Sequence, residues 1–280
     1  MIAQESTVKT REGIDLLVRR WSPEVTPRGV VQIVHGLGEH SGRYLRVAAA
    51  LLDQGLAVIA WDHRGHGRSG GLRGHVDGFE QYSDDLRRVF DLGVSAWPGA
   101  FPRFIYGHSL GGLIALHARL DAPDLPLRGM ILSNPALREV LETPGWKRLL
   151  GRALSRLAPQ IRLHTGLAPE RISRDPAEVK AYAQDPLIHD LVSTRFYTSY
   201  VAAMTRVHDA PQGISLPTLW LISGSDRICD PEANRRFAAA LGPTTTVREW
   251  AESYHEGHND LQREEVAQAV RMWLGTQIGP

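Results

Sequence analysis

Short apolar runs punctuate the chain at Val30 to His35, Ala57 to Asp62, Phe104 to Gly107, Met130 to Asn134, Thr218 to Ser223 and Thr246 to Glu252. Each is too short for a helix and is bounded by polar or glycine-rich residues, the pattern of strands buried on both faces. Between them apolar residues recur at helical spacing, near Tyr44 to Gln54, Phe79 to Ala96, Ser109 to Leu120, Pro231 to Leu241 and Arg263 to Leu274. Strands alternating with helices predict a mostly parallel, doubly wound α/β sheet. Ile14 to Trp21 reads as an earlier strand, with Val8 to Thr10 pairing to it across Arg11-Glu12-Gly13. That brings the sheet to about eight strands.

The alternation stops after residue 137, and several helix-like segments follow one another without a convincing strand. The chain therefore divides into a core, 1–137 and 211–280, and an inserted helical cap, 138–210. In the first cap helix, Trp146, Leu149, Leu150, Ala153, Leu154, Leu157 and Ala158 form an apolar stripe, with Lys147, Arg148, Arg152 and Arg156 on the other side. Packing on the body of the protein is the plainer reading of this basic amphipathic helix; docking on an anionic membrane is the sharper one. A second stripe, Phe196, Tyr197, Tyr200, Val201, Met204 and Val207, reads as core, part of which lines an apolar channel.

Composition narrows the function more than the fold. The 280 residues carry a net charge of +1, which argues against nucleic acid as a partner and favours a small neutral or amphiphilic ligand. Cys229 is the only cysteine, so no intrachain disulfide forms and a cysteine-rich metal site is excluded. The first residues lack the apolar segment of a secretory leader, and no apolar run reaches membrane-spanning length. A cytoplasmic location, peripheral at a membrane surface if the cap docks there, is expected.

Phe104-Ile105-Tyr106-Gly107-His108-Ser109-Leu110-Gly111-Gly112 reads as strand, tight turn and helix start, the G-x-S-x-G nucleophile elbow. Ser109 is the candidate nucleophile. A serine hydroxyl needs an imidazole to take its proton and a carboxylate to orient that imidazole. In α/β-hydrolases the chain order is Ser, acid, His. Asp226 follows the Thr218 to Ser223 strand and is the chosen acid; Asp230 beside Pro231 is second choice, more simply read as a helix cap. Ser253-Tyr254-His255-Glu256-Gly257-His258 follows the last strand, and His255, nearer its end, is the chosen base ahead of His258. The oxyanion donors are the backbone N–H of Leu110 and, in the loop His35-Gly36-Leu37-Gly38, that of Leu37. No metal is expected, because neither the His255/His258 pair nor the His63/His66 pair has a third ligand at metal spacing.

With these pieces in place the chain resembles the monoacylglycerol lipase and lysophospholipase branch of the α/β-hydrolases over nearly all its length. The distinguishing string is His35-Gly36-Leu37-Gly38-Glu39-His40-Ser41-Gly42-Arg43-Tyr44. Trp61-Asp62-His63-Arg64-Gly65-His66-Gly67-Arg68-Ser69, Gly224-Ser225-Asp226-Arg227-Ile228-Cys229-Asp230 and Tyr254-His255-Glu256-Gly257-His258 match further segments. The resemblance implies hydrolysis of one fatty acyl ester from a glycerol-type head group, without a cofactor and with the cap over an apolar channel. It implies His255 as base and Glu39, Arg43 and His258 lining the head-group pocket; the competing reading of Glu39 and Arg43 is a salt bridge that braces the oxyanion loop.

The leading expectation is thus a serine carboxylic ester hydrolase working through an acyl-enzyme. The alternatives are a short-chain carboxylesterase or lysophospholipase on the same triad, a proline-releasing aminopeptidase, and a silent receptor that binds a small amphiphilic ester.

Overall fold

The structure, a computed structural model, describes residues 3–140 and 145–279, and of 146–150 the backbone alone. The strands, in chain order, are β1 (Gln4–Lys9), β2 (Asp15–Trp21), β3 (Gly29–Val34), β4 (Leu56–Trp61), β5 (Arg103–His108), β6 (Gly129–Ser133), β7 (Arg162–His164), β8 (Leu191–Ser193), β9 (Thr218–Ser223) and β10 (Thr245–Trp250). The helices are α1 (Leu45–Leu52), α2 (Glu80–Ala96), α3 (Leu110–Asp121), α4 (Gly145–Leu157), α5 (Pro176–Gln184), α6 (Thr194–Asp209), α7 (Pro231–Ala240) and α8 (Arg263–Ile278). Eight strands form one sheet in the order β1-β2-β4-β3-β5-β6-β9-β10. From β4 to β10 all neighbours are parallel; β1 and β2 add an antiparallel hairpin at one edge.

Both faces of the central strands are buried, which is why those strands read as unbroken apolar runs. Side chains still alternate between two cores. Val30 and Val34 of β3 face one core, with Leu86 and Val89 of α2 and Leu113 and Leu116 of α3. Val31 and Ile33 face the other, with Ala48 and Leu51 of α1 and Val266, Val270 and Trp273 of α8. A one-residue slip of β3 would exchange the two sets, so the packing pins the register that aims the loop after it.

Three expectations are corrected. The residues of β10 are mostly half or fully exposed, because it is an edge strand paired with β9 alone; Arg248 and Glu249 already carried that signal. The insert between β6 and β9 does contain strands, β7 and β8, antiparallel to each other and too short to leave an apolar run. The expected stripe of α4 also faces differently where side chains are described: Ala153 and Leu157 are exposed and Leu154 half-buried. Ser155 is buried instead, hydrogen-bonded to Thr198 on α6 at 2.7 Å. Gly151 and Ser155 are small enough to let α4 lie close on α6, which leaves Ala153 and Leu157 on its outer side. The expected side-chain positions of Trp146, Lys147, Arg148, Leu149 and Leu150 lie outside the described residues.

Candidate active site

Ser109 ends β5 and precedes α3 with φ 52° and ψ −118°, a region that non-glycine residues enter only under constraint. The constraint is visible. Its N–H donates to Ser133 O at 3.0 Å, and its carbonyl accepts from the N–H groups of Gly112, Leu113 and Ala136. A Cβ at Gly107 would sit 2.8 Å from Gly111 O, so the elbow closes only with glycine there.

Asp226 stands in the loop after β9. Its Oδ1 accepts the N–H groups of Ile228 and Cys229, and its Oδ2 meets His255 Nδ1 at 2.7 Å. A carboxylate can only accept, so Nδ1 carries the proton and the Nε2 lone pair is left for another donor. Burial works against a charge on His255, yet Asp226 outweighs it and raises the pKa above the usual histidine value. The ring of His108, the residue before Ser109, lies 4.7 Å from that of His255, and the Cys229 sulfur lies within 4.8 Å of donor atoms of Asp226 and His255. Nucleophile, acid and base candidates therefore share one locality. Burial, then the nearby Asp226 and Glu139, push the thiol pKa well up, so Cys229 stays neutral. Asp230 instead accepts the Glu232 N–H at 2.9 Å as the N-cap of α7.

Sequence reasoning missed Asn134. At φ 44°, it donates to His255 O at 2.6 Å and accepts the Ser223 N–H at 2.8 Å, tying the base loop to the strand that bears the acid. Its one local signal is the turn-forming Asn-Pro step after β6.

Among the described residues, neither the Leu37 nor the Leu110 N–H donates a hydrogen bond, and Leu110 opens α3, where the helix dipole favours negative charge. The Leu37 peptide is held from its other side. His35 Nδ1–H donates to Gly36 O at 2.7 Å, while His35 Nε2 accepts the His63 N–H at 2.8 Å, which fixes the tautomer. Because the peptide is trans, pinning that carbonyl aims the Leu37 N–H the opposite way. His63 and His66 pack against His35 as buried rings, with pKa values pushed well down by burial and neighbouring imidazoles.

Glu39 and Arg43 form an ion-pair network. Glu39 Oε1 accepts the Gly36 N–H at 2.6 Å and the Tyr44 hydroxyl at 2.7 Å; Arg43 bonds Glu39 Oε2 at 2.7 Å and both oxygens of Glu256. Burial opposes charge on Glu256, but Arg43 overcomes it and holds the pKa at about 2. Burial raises that of Glu39, against the pull of Arg43. Glu256 was not foreseen, since its partner is 213 positions away. His258 stacks on Tyr44 at 5.0 Å, is buried, and has no hydrogen-bond partner on either ring nitrogen among the described residues; burial drops its pKa to about 4. Replacing Arg43 by methionine leaves two facing buried carboxylates and is expected to cost about 3–5 kcal/mol in urea unfolding. Loss of less than about 1 kcal/mol would refute the bracing role.

Asp226, Cys229 and His255 are also the one cluster of three metal-type ligands among the described residues. With 2.7 Å between the Asp226 and His255 atoms, that pair is a hydrogen bond; two donors on one ion stand more than about 3 Å apart.

The doubly wound sheet, the insert after β6 and the serine elbow define the class, an α/β-hydrolase. Residues 25–262 match the family described as Serine aminopeptidase, S33 (Hydrolase_4), and the chain belongs to it. It is a serine hydrolase of the monoacylglycerol lipase-like branch. The monoacylglycerol lipase of Mycolicibacterium smegmatis is 30% identical over 268 residues, covering 95% of each chain. A crystal structure of Paleococcus ferrophilus monoacylglycerol lipase superposes with a TM-score of 0.82 at 34% identity, over 99% of this chain and 100% of that one. An uncharacterized abhydrolase domain-containing protein of Dictyostelium discoideum is 34% identical over 280 residues, 99% of this chain, which spans 30% of that longer protein.

Proposed function

We propose that this chain hydrolyses a fatty acyl ester of a glycerol-type lipid, with Ser109 as nucleophile, His255 as base and Asp226 as its orienting acid. The observation that carries the reading is the 2.7 Å Asp226–His255 bond near a strained elbow serine, since it makes Nε2 the proton-accepting nitrogen of a ring packed 4.7 Å from that of His108, the residue before Ser109. Ser109 Oγ attacks the ester carbonyl as its proton passes to His255 Nε2. The N–H groups of Leu37 and Leu110 receive the developing oxyanion. His255 then returns the proton to the leaving alkoxide, and the acyl group stays on Ser109. Water, deprotonated by the same imidazole, releases the fatty acid and restores the serine.

The two relatives named monoacylglycerol lipases support the substrate class. In this reading Glu39 and Arg43 serve the head-group end by bracing the oxyanion loop, and His258, whose ring nitrogens have no partner among the described residues, takes a head-group hydroxyl. A series of monoacylglycerols, lysophospholipids and p-nitrophenyl esters of rising chain length tests this. A kcat/KM at least about tenfold higher for long-chain monoacylglycerol than for acetyl or butyryl esters is expected, a difference of about 1.4 kcal/mol; the reverse order favours the short-chain carboxylesterase.

Contact between the insert and an anionic lipid surface is a second reading, favoured by exposed apolar residues set among arginines. Leu157 is 83% exposed, and Ile161 and Leu163 are exposed beside Arg152, Arg156 and Arg162. No helix among the described residues is long and apolar enough to cross a membrane. With about 1 kcal/mol per basic residue at such a surface, Arg152→Glu with Arg156→Glu is expected to lower co-sedimentation with anionic vesicles at least about tenfold. Unchanged sedimentation ends that reading.

A further inference from the structure

We propose that His189, on the insert, is a positioning residue for the oxyanion loop of the core; the inference rests on Leu37 supplying an oxyanion donor. The segment 185–193 lies as a strap across the loops that follow β3 and β4. At its start Asp185 meets His40 Nε2 at 2.8 Å, and at its end the Ser193 N–H donates to Gly74 O at 2.8 Å while Ser193 Oγ meets His75 Nδ1 at 2.8 Å. His189 is the middle anchor and the one that touches the oxyanion loop. Its backbone N–H donates to Gly38 O at 2.9 Å, and its ring Nε2–H donates to Gly65 O at 3.0 Å. The Leu191 N–H donates to the remaining nitrogen, Nδ1, at 3.3 Å, so every polar atom of the imidazole has a defined role and the neutral Nε2–H tautomer is fixed.

The Leu37 N–H lies between two held carbonyls. Gly36 O is fixed from within the core by His35, and Gly38 O is fixed from the insert by His189. A side chain at residue 38 would overlap the His189 carbonyl, and Gly38 has φ 76°, so glycine is required for the strap to seat on the loop. Without the ring, the strap loses its bond to Gly65 and its internal bond to Leu191, and the 189 backbone no longer has a fixed place over Gly38. The Leu37 peptide then has a free hinge on one side. A donor that must be aimed to within a fraction of an ångström loses most of its effect when its peptide rocks.

The test compares His189→Ala, His189→Gln and wild type with p-nitrophenyl butyrate and a fluorophosphonate probe, both of which develop an anionic oxygen in the same hole. In His189→Ala, kcat is expected to fall about 30-fold with KM within about threefold, and phosphonylation of Ser109 to slow by a similar factor, short of the full loss of one donor. His189→Gln, whose amide supplies one donor and one acceptor, is expected to recover kcat to within about fivefold of wild type. The pH at half-maximal kcat/KM, set by His255, is expected to stay in place in both variants. An unchanged kcat in His189→Ala overturns the proposal. So does equal impairment of the alanine and glutamine variants, or a loss of kcat matched by the fraction of unfolded protein. A wild type that labels rapidly but spares monoacylglycerols overturns the substrate reading alone; a wild type inert to both probes overturns both.

Discussion

Exchange of Ser109 for alanine is expected to lower kcat by about 10⁶-fold and to abolish fluorophosphonate labelling, while leaving the melting temperature unchanged. The covalent step has no substitute once the hydroxyl is gone, and an imidazole without its nucleophile adds little. Stability is spared because alanine meets the same backbone strain as serine at φ 52°, and the elbow's hydrogen bonds are all made by the backbone. Asp226→Asn probes the same unit from the far end. Its amide does not force the proton onto His255 Nδ1, so the imidazole turns or takes the wrong tautomer, and kcat is expected to fall about 10⁴-fold. Steady-state assays on freshly labelled and unlabelled fractions check both. Ester hydrolysis within about tenfold of wild type in Ser109→Ala would place the chemistry elsewhere.

Acidification is expected to unfold the protein between about pH 6 and pH 5, well above the range in which carboxylates protonate. His35, His63, His66, His108 and His258 are buried, and burial is the leading cause that lowers each pKa. Such a group is neutral when folded and takes a proton when unfolded. Its contribution is therefore constant above the unfolded value of about 6.5 and is lost as the pH falls below it. One pH unit below that point each group costs about 1.4 kcal/mol, so five cost about 7 kcal/mol, comparable with the whole stability of a domain. His255 runs the other way, because Asp226 raises its pKa against burial; its contribution is present at low pH and works against the other five. Far-ultraviolet circular dichroism across a pH series reads the transition. Native signal and activity recovery persisting at pH 4 would contradict the account.

Much of the fold was legible because its strands are buried on both faces, so short apolar runs marked them without help from neighbours. The candidates Ser109, Asp226 and His255 could be picked out for a related reason: each lies in a short string at a strand end, and local turn chemistry is written in adjacent residues. The insert was read less well. β7 and β8 have three residues each, too few for a periodicity, and the outward turn of Ala153 and Leu157 depends on α4 packing against α6 through Gly151 and Ser155. A stripe shows that a helix has two faces but not which neighbour claims one of them.

What the amino-acid order determined by itself is the chemical inventory and its local presentation: a serine on a glycine-flanked elbow, an acid and a histidine after later strands, and a glycine-rich loop after β3. Those depend on contacts between residues a few positions apart. Tertiary structure decided the rest, namely that Arg43 is shared by Glu39 and Glu256, that Asn134 ties the base loop to β9, and that His189 reaches from the insert to Gly38. Each of those joins residues far apart in the chain, where side chains of ordinary type acquire a role only through the partner that folding brings to them.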